Sequence, residues 1–309
     1  MKQITSDLYL MKMPQIDSRA PQVDVYFLKD EKLLIDAGPD NHPCYLKLQQ
    51  DLKTLGVNLQ DVSVVLTHHH PDHVGLLKYF PEETPVYADP GIRYYGTVAY
   101  LTAIEEQTRQ LQVLGVPEHA IKQVKFQLQK RFLPFLKNVN FKALNRLPVS
   151  SIRIHRLRGH SPADIVFQKD NFFFGGDLIL KGIYFNVLLD IDPVNQKLCL
   201  LNQEYEQSIK KILTTFKIQT WGPGHGDPMS SSSLIRINHK YQKLRQLIHQ
   251  RIAQSFSFAD YDSAIHEIYS YFPRLNDYFY LSDILTVIKW KRGCDISRNP
   301  VLFKADIPV

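Results

Sequence analysis

The sequence predicts an α/β protein built from layers of strands and helices. Short apolar or alternating runs at residues 8–10, 23–28 and 32–36 are typical of strands. Residues 43–55 then carry apolar side chains at helical spacing, and a mostly apolar run at residues 62–66 reads as a buried strand. Strands and helices that alternate along a chain favour a layered α/β architecture.

A helical block interrupts this β-rich pattern. Apolar residues recur at helical spacing from Val98 to Leu114 and again from Ile121 to Phe135, where Pro134 breaks or kinks the second helix. Strand-like runs then resume at residues 152–155, 165–167 and 172–174. We therefore expect a helical insertion at about residues 97–150 within a β-rich body.

The end of the chain follows a run of four serines at residues 230–233. Its hydrophobic pattern predicts three helices and one short strand, at residues 234–252, 261–272, 278–290 and 301–303. The chain then divides into a main domain, residues 1–233, and a small, mostly helical C-terminal subdomain, residues 234–309.

The composition excludes several classes of protein. The chain has 309 residues, of which 44% are hydrophobic and 22% charged, so it is not a disordered chain, a collagen-like fibre or a coiled coil. It contains no run of about 18 apolar residues, which excludes a membrane-spanning helix. Three distant cysteines and the lack of a signal peptide pattern predict a reducing, cytoplasmic location.

The net charge of +6 has one source. Residues 121–160 contain ten Lys or Arg residues and no Asp or Glu, so this stretch holds more than the whole positive excess. It is either an ordinary solvated face or a surface that recognises an anionic group, because clustered charge raises the local potential. The second interpretation makes Lys122, Lys125, Lys130 and Arg131 candidate substrate-binding residues.

A dense group of potential metal ligands follows the strand at residues 62–66. Residues 67–75 read Thr-His-His-His-Pro-Asp-His-Val-Gly. In an extended segment, His68 and His70 point the same way and can share one ion, whereas His69 points away. Asp72 and His73 come after the turn at Pro71 and can face a second ion. Imidazole and carboxylate ligands suit zinc, and also iron or manganese.

Five motifs in this order resemble the metallo-β-lactamase-fold hydrolase superfamily, especially its glyoxalase II-like and lactamase-like endoribonuclease branches. They span residues 34–226 and are Leu34-Ile-Asp-Ala-Gly38, the histidine motif, Gly159-His-Ser-Pro162, Gly175-Gly-Asp177 and Pro223-Gly-His-Gly226. The resemblance implies an αββα sandwich with metals at one edge. It also implies that the C-terminal subdomain is winged-helix-like.

The resemblance further implies a site with two divalent metal ions. His68, His70 and His160 would hold the first ion, Asp72, His73 and His225 the second, and Asp177 would bridge them. Asp72 and Asp177 are the expected catalytic residues, and a metal-bridging hydroxide is the expected nucleophile. The chain has no Gly-x-Ser-x-Gly motif, so no side-chain nucleophile competes with this interpretation.

The sequence determines neither the substrate nor the oligomeric state. We expect a small-molecule ester or thioester with an anionic group, with the helical insertion as a cap and Tyr184 as a candidate pocket residue. A metal-dependent endoribonuclease is the first alternative, since the basic C-terminal subdomain would then help to bind RNA. A non-enzymatic regulator is a second alternative, and a basic amphipathic surface that binds membranes is a third.

Overall fold

The protein is described here from a computed structural model, which covers residues 1–15, 21–113, 115–183, 187–255 and 281–286. Its main body is a four-layer αββα sandwich, in which two β-sheets pack face to face and helices cover both outer faces. The predicted α/β class and the αββα layering are therefore confirmed.

The larger sheet contains seven strands in chain order. Its first four strands are antiparallel neighbours, and the fourth to seventh are parallel neighbours. The strands are β1 (Lys2–Gln3), β2 (Leu8–Met13), β3 (Val23–Leu28), β4 (Leu33–Ile35), β5 (Ser63–Val65), β6 (Val86–Ala88) and β7 (Phe141–Ala143). The carboxyl ends of the parallel β4 and β5 lie side by side, and this edge carries the candidate site.

The smaller sheet has five strands, and a separate two-stranded hairpin follows its third strand. The strands are β8 (Ile152–Arg156), β9 (Ile165–Lys169), β10 (Phe172–Gly176), the hairpin strands β11 (Asp190–Ile191) and β12 (Leu198–Cys199), β13 (Thr220–Pro223) and β14 (Met229–Ser230). The order in the smaller sheet is β14-β13-β10-β9-β8, and only the β10–β13 pair in it is parallel.

Six labelled helices flank the sheets: α1 (His42–Thr54), α2 (Pro71–Val74), α3 (Val98–Val113), α4 (Glu118–Gln129), α5 (Asn202–Thr215) and α6 (Ser231–Ser255). The apolar face of α1 covers part of the outer face of the larger sheet, and α5 and the first part of α6 cover the smaller one. Helices α3 and α4 pack on each other, and α3 also contacts β11, within the same apolar core as α1. The space between the sheets is filled by side chains such as Leu10, Ile35, Phe167 and Phe174. Alternate residues of one strand thus serve two different cores.

The helical insertion is an antiparallel pair, α3 and α4. Gly115 lies between them with a φ of +86°, a left-handed conformation that glycine adopts without strain. The second helix ends at Gln129, before Pro134, and residues 134–138 form a short 3₁₀ helix instead. The range 97–150 also contains β7, which is a strand of the larger sheet, so the insertion is not entirely helical.

The C-terminal region begins with α6, which contains the predicted helix at residues 234–252. Residues 281–286 are also helical, within the range predicted as helix at 278–290. The predicted helix at 261–272 and the predicted strand at 301–303 lie outside the described residues. Among the described helices, none is long and apolar enough to cross a membrane.

Candidate metal centre

The segment that follows β5 is anchored to the end of β4. The Asp36 carboxylate accepts hydrogen bonds from the backbone N–H and the hydroxyl of Thr67, both at 2.7 Å. Asp36 itself has a φ of +63°, which turns the chain sharply out of the sheet. His70 has an extended backbone, and Pro71 directly after it starts α2, so the histidine motif is fixed at both ends.

The seven predicted ligands meet at this edge of the sandwich. Six of them form two groups, within each of which the candidate ligand atoms lie within 4.8 Å of one another. The first group is His68, His70 and His160, and the second is Asp72, His73 and His225. Residues from separate parts of the chain are thereby brought into one centre.

Asp177, the seventh, lies between the two groups. One of its carboxylate oxygens, Oδ2, is 3.7 Å from Nε2 of His160 and 3.3 Å from Nε2 of His225. The other, Oδ1, is 3.4 Å from Nε2 of His73. This carboxylate therefore reaches both groups, as a bridging ligand would have to do.

Hydrogen bonds on the far side of the rings orient two of the imidazoles. Nδ1 of His73 is 2.8 Å from Oδ2 of Asp36, and Nδ1 of His225 is 2.9 Å from the carbonyl oxygen of Gln22. A carbonyl or carboxylate oxygen can only accept, so each Nδ1 carries a proton. Nε2 of each ring is then the atom that faces the centre.

His68 is oriented in the same way by a hydroxyl. Its Nδ1 lies 3.0 Å from Oγ1 of Thr67, whose own proton is donated to Asp36. The hydroxyl therefore accepts from Nδ1 of His68, and the Nε2 lone pair points into the centre. That buried Nε2 has no hydrogen-bond partner in the part of the chain that the structure describes.

The donor set of the centre fits a metal. A buried polar atom without a partner costs about 1–3 kcal/mol, and a cation at Nε2 of His68 would remove this cost. Nδ1 of His70 and Nε2 of His160 lie 2.8 Å apart, a separation that calls for a shared proton or a cation, because two lone pairs would repel. The set of histidines and aspartates matches what zinc, iron and manganese bind.

The pKa values of the histidines shift in opposite directions in the two ligand groups. Burial lowers the pKa of His68 and His70 well below 6.5, so both imidazoles stay neutral and able to bind a metal. Burial would also lower the pKa of His225, but the Asp177 carboxylate raises it to about 10. Burial alone would raise the pKa of Asp177, but His225 and His73 hold it well below 3.8. The carboxylate is therefore ionised, and protons on the second group stand where a metal cation would replace them.

Two further residues support the centre, and the sequence motifs did not reveal them. The Asp164 carboxylate accepts from the backbone N–H groups of Gly159, His160 and Ser161 at 2.7–3.0 Å, which fixes the loop that carries His160. An Asp that follows a Gly-x-Ser-Pro turn is a typical loop cap, so this signal was present. Gln15 donates from Nε2 to Oδ2 of Asp72 at 3.0 Å, and no local pattern indicates this contact.

The candidate substrate-binding residues are placed less uniformly. The three lysines lie on or directly after α4, each beside a local partner: Glu118 for Lys122, Glu105 for Lys125 and the ring of Phe126 for Lys130. Arg131 is buried, and its NH1 lies 2.9 Å from Oδ2 of Asp190, so it does not face solvent. Tyr184 lies outside the described residues.

The fold and the site define a protein with a histidine- and aspartate-rich centre at one edge of two packed β-sheets, a centre suited to metal ions. This is the architecture of the metallo-β-lactamase fold. The chain belongs to the metallo-beta-lactamase superfamily, whose family model matches residues 19–216.

Individual relatives agree with this assignment. The chain is 27% identical over 253 residues to the "Probable metallo-hydrolase YqjP" of Bacillus subtilis (strain 168), and the match covers 78% of each protein. A metallo-β-lactamase family protein from Thermus thermophilus has a similar fold, with a TM-score of 0.67, 20% identity and coverage of 94% of this chain and 95% of that one. A β-lactamase domain protein from Burkholderia ambifaria gives a TM-score of 0.68, 17% identity and coverage of 94% and 89%.

Proposed function

We propose that this protein is a hydrolase that uses two divalent metal ions, with zinc favoured over iron or manganese, to cleave an ester or thioester bond. The observation that carries the proposal is the position of Asp177 between two groups of three ligands. The name of the relative from Bacillus subtilis, a probable metallo-hydrolase, supports the same class of reaction.

Bound at such a centre, two divalent ions lower the pKa of water and stabilise the negative charge that develops on a carbonyl oxygen. The chain supplies orientation and proton handling. The side chain of Asp72 is 26% exposed, against 8% for Asp177, so Asp72 is the carboxylate that incoming water can reach. Because Gln15 donates to Oδ2 of Asp72, Oδ1 is left to accept a proton from the attacking water. In this proposal Asp177 holds the two ligand groups together.

The helical insertion supports a covered site for a small molecule. The insertion contacts segments that lie beside the centre. The backbone N–H of Leu133 donates to the carbonyl oxygen of Tyr95, and Arg131 forms an ion pair with Asp190. The proposed anionic group of the substrate would be met by the exposed lysines of α4. Exposed lysine–glutamate pairs contribute only about 0–1 kcal/mol, so a substrate anion can displace the glutamate. We also propose a cytoplasmic location, which the free thiols of Cys44 and Cys199 support.

The test is an assay of purified, zinc-loaded protein against a panel of acyl-thioesters and esters. We expect turnover that His70→Ala abolishes, because it removes a ligand from the first group. The matched control, Lys130→Met, changes a neighbouring surface of the insertion and should keep full turnover of uncharged esters.

Two results would contradict the proposal. The endoribonuclease alternative predicts salt-sensitive RNA binding and RNA cleavage with no ester or thioester turnover. The non-enzymatic alternative predicts no turnover of any substrate and well under one metal ion per chain by elemental analysis.

A further inference from the structure

A second buried cluster adjoins the candidate metal centre and contains none of its carboxylates. Its middle is Asp190, on β11, whose side chain is fully buried. Oδ2 of Asp190 lies 2.9 Å from NH1 of Arg131 and 3.0 Å from Nε2 of His69. The same NH1 donates to the carbonyl oxygen of Leu189 at 2.8 Å. An arginine that immediately follows the inserted helices is thus joined to the segment beside the metal ligands.

The cluster is closed on its other side by an aromatic contact. The ring of His69 stacks on that of Tyr95, with centroids 3.5 Å apart and planes 9° from parallel. The hydroxyl of Tyr95 donates to the carbonyl oxygen of Ile191 at 2.9 Å. Arg131 and Tyr95 therefore hold the carbonyl groups of Leu189 and Ile191, the residues on either side of Asp190.

This cluster is not a further metal site, although candidate ligand atoms of His69, His70 and Asp190 lie within 4.8 Å of one another. The guanidinium of Arg131 already places a positive charge against the Asp190 oxygen that such an ion would need. A divalent cation would have to displace a buried, hydrogen-bonded guanidinium. We therefore do not expect the Asp190 carboxylate to bind a metal ion directly, and it can have a different role.

That role is suggested by His70, whose two ring nitrogens face two different groups. Nδ1 points to His160, inside the first ligand group, and Nε2 lies 3.8 Å from Oδ2 of Asp190. When Nδ1 gives its lone pair to a cation, the ring proton is on Nε2 and faces this carboxylate. A carboxylate behind a metal-bound imidazole sets the ring orientation and increases its strength as a ligand.

We propose that Asp190 is a positioning residue that orients His70 for metal binding, and that Arg131 of the helical insertion holds Asp190 in place. The inference rests on the proposed metal-dependent function and adds to it a physical link between the insertion and the first ligand group. Arg131 then acts on metal affinity from within the protein and not as a substrate-binding residue.

The test compares metal affinity with fold stability in four variants. Metal affinity is measured by competition with a chromophoric chelator, and stability by thermal melting of the metal-free proteins. Asp190→Leu removes the carboxylate that balances the buried charge of Arg131 and is expected to melt earlier. The informative variant is therefore the double substitution Asp190→Leu with Arg131→Met. Replacing a buried ion pair by apolar side chains of similar volume is often neutral for stability.

We expect the double variant to melt near the wild-type temperature and to bind one of its two ions about 10- to 100-fold more weakly. Asp190→Asn keeps the volume of the side chain and removes its charge, so the affinity for the same ion should also fall. This variant provides the test if the double variant does not fold. Lys130→Met, next to Arg131 but on the surface, should change neither quantity.

The two proposals fail in different ways. Wild-type metal affinity in the folded double variant, or in Asp190→Asn if the double variant is unfolded, overturns the role of Asp190 and leaves the proposed function standing. A wild-type protein that binds less than one divalent ion per chain overturns the proposed function and this inference with it.

Discussion

Replacing Gly224 with alanine is expected to disable the centre without unfolding the protein. A Cβ atom at this position would lie 2.2 Å from Oδ1 of Asp177 and 2.6 Å from Cε1 of His73. Side-chain contacts this short do not occur, so Asp177 has to move by about 1 Å to reach van der Waals distance. Misplacing a reacting group by about 1 Å can cost a factor of about 100 in rate.

The assay compares kcat/KM and bound metal for Gly224→Ala and the wild type, on whichever ester or thioester proves best. We expect kcat/KM to fall about 100-fold. Gly226→Ala is the matched control, because Gly226 has a φ of +95° and open space around its Cβ position. The alanine at this position introduces backbone strain of about 1 kcal/mol. It lies two residues after Gly224 and clashes with no neighbouring atom. Full activity and metal content in Gly224→Ala would refute the placement of Asp177.

Three further variants probe the supports of the centre. Asp36→Asn replaces an acceptor of three hydrogen bonds. Metal affinity should fall about 10-fold or more, because His73 loses the carboxylate that orients its ring. An unchanged affinity in chelator competition would contradict this. Asp164→Ala leaves three backbone N–H groups without their acceptor and should lower the free energy of unfolding by at least about 2 kcal/mol in urea titrations, whereas a loss under about 0.5 kcal/mol would count against that role. In the metal-free protein, the raised pKa of His225 contributes stability that is complete below pH 6.5 and is lost as pH rises through about 10. Melting temperature should accordingly fall over that range, less steeply in His225→Gln, and parallel curves for the two proteins would exclude His225 as the cause.

Local pattern was a good guide to the elements of the fold and a poorer one to their ends. The alternation at residues 23–28 is a strand whose every side chain is buried, because helices cover one face of its sheet and a second sheet covers the other. The sequence predicts that Pro134 breaks or kinks the second inserted helix, yet that helix already ends at Gln129. The residues that follow turn away to bring Arg131 and Leu133 into contact with other elements. Such contacts involve residues distant in sequence and leave no periodic signal.

The basic stretch shows the same limit more sharply. By sequence, Lys130 and Arg131 are adjacent and equivalent members of one positive patch. In the structure, Lys130 lies over the ring of Phe126, whereas Arg131 is buried against Asp190. A count of charges cannot separate these two residues, because the partner of Arg131 is far along the chain.

The sequence by itself determined the class of fold, and its resemblance to a known family predicts the seven candidate ligands. Strand and helix periodicity are local, and the five motifs place each histidine and aspartate at the end of a strand or in a turn. Only the tertiary structure decided how these side chains meet. It placed Asp177 between two ligand groups, Asp164 and Gln15 behind them, and Arg131 and Asp190 in a buried pair beside His70. The reason is physical: orientation and burial depend on contacts between distant segments, and those contacts exist only after the sheets have packed.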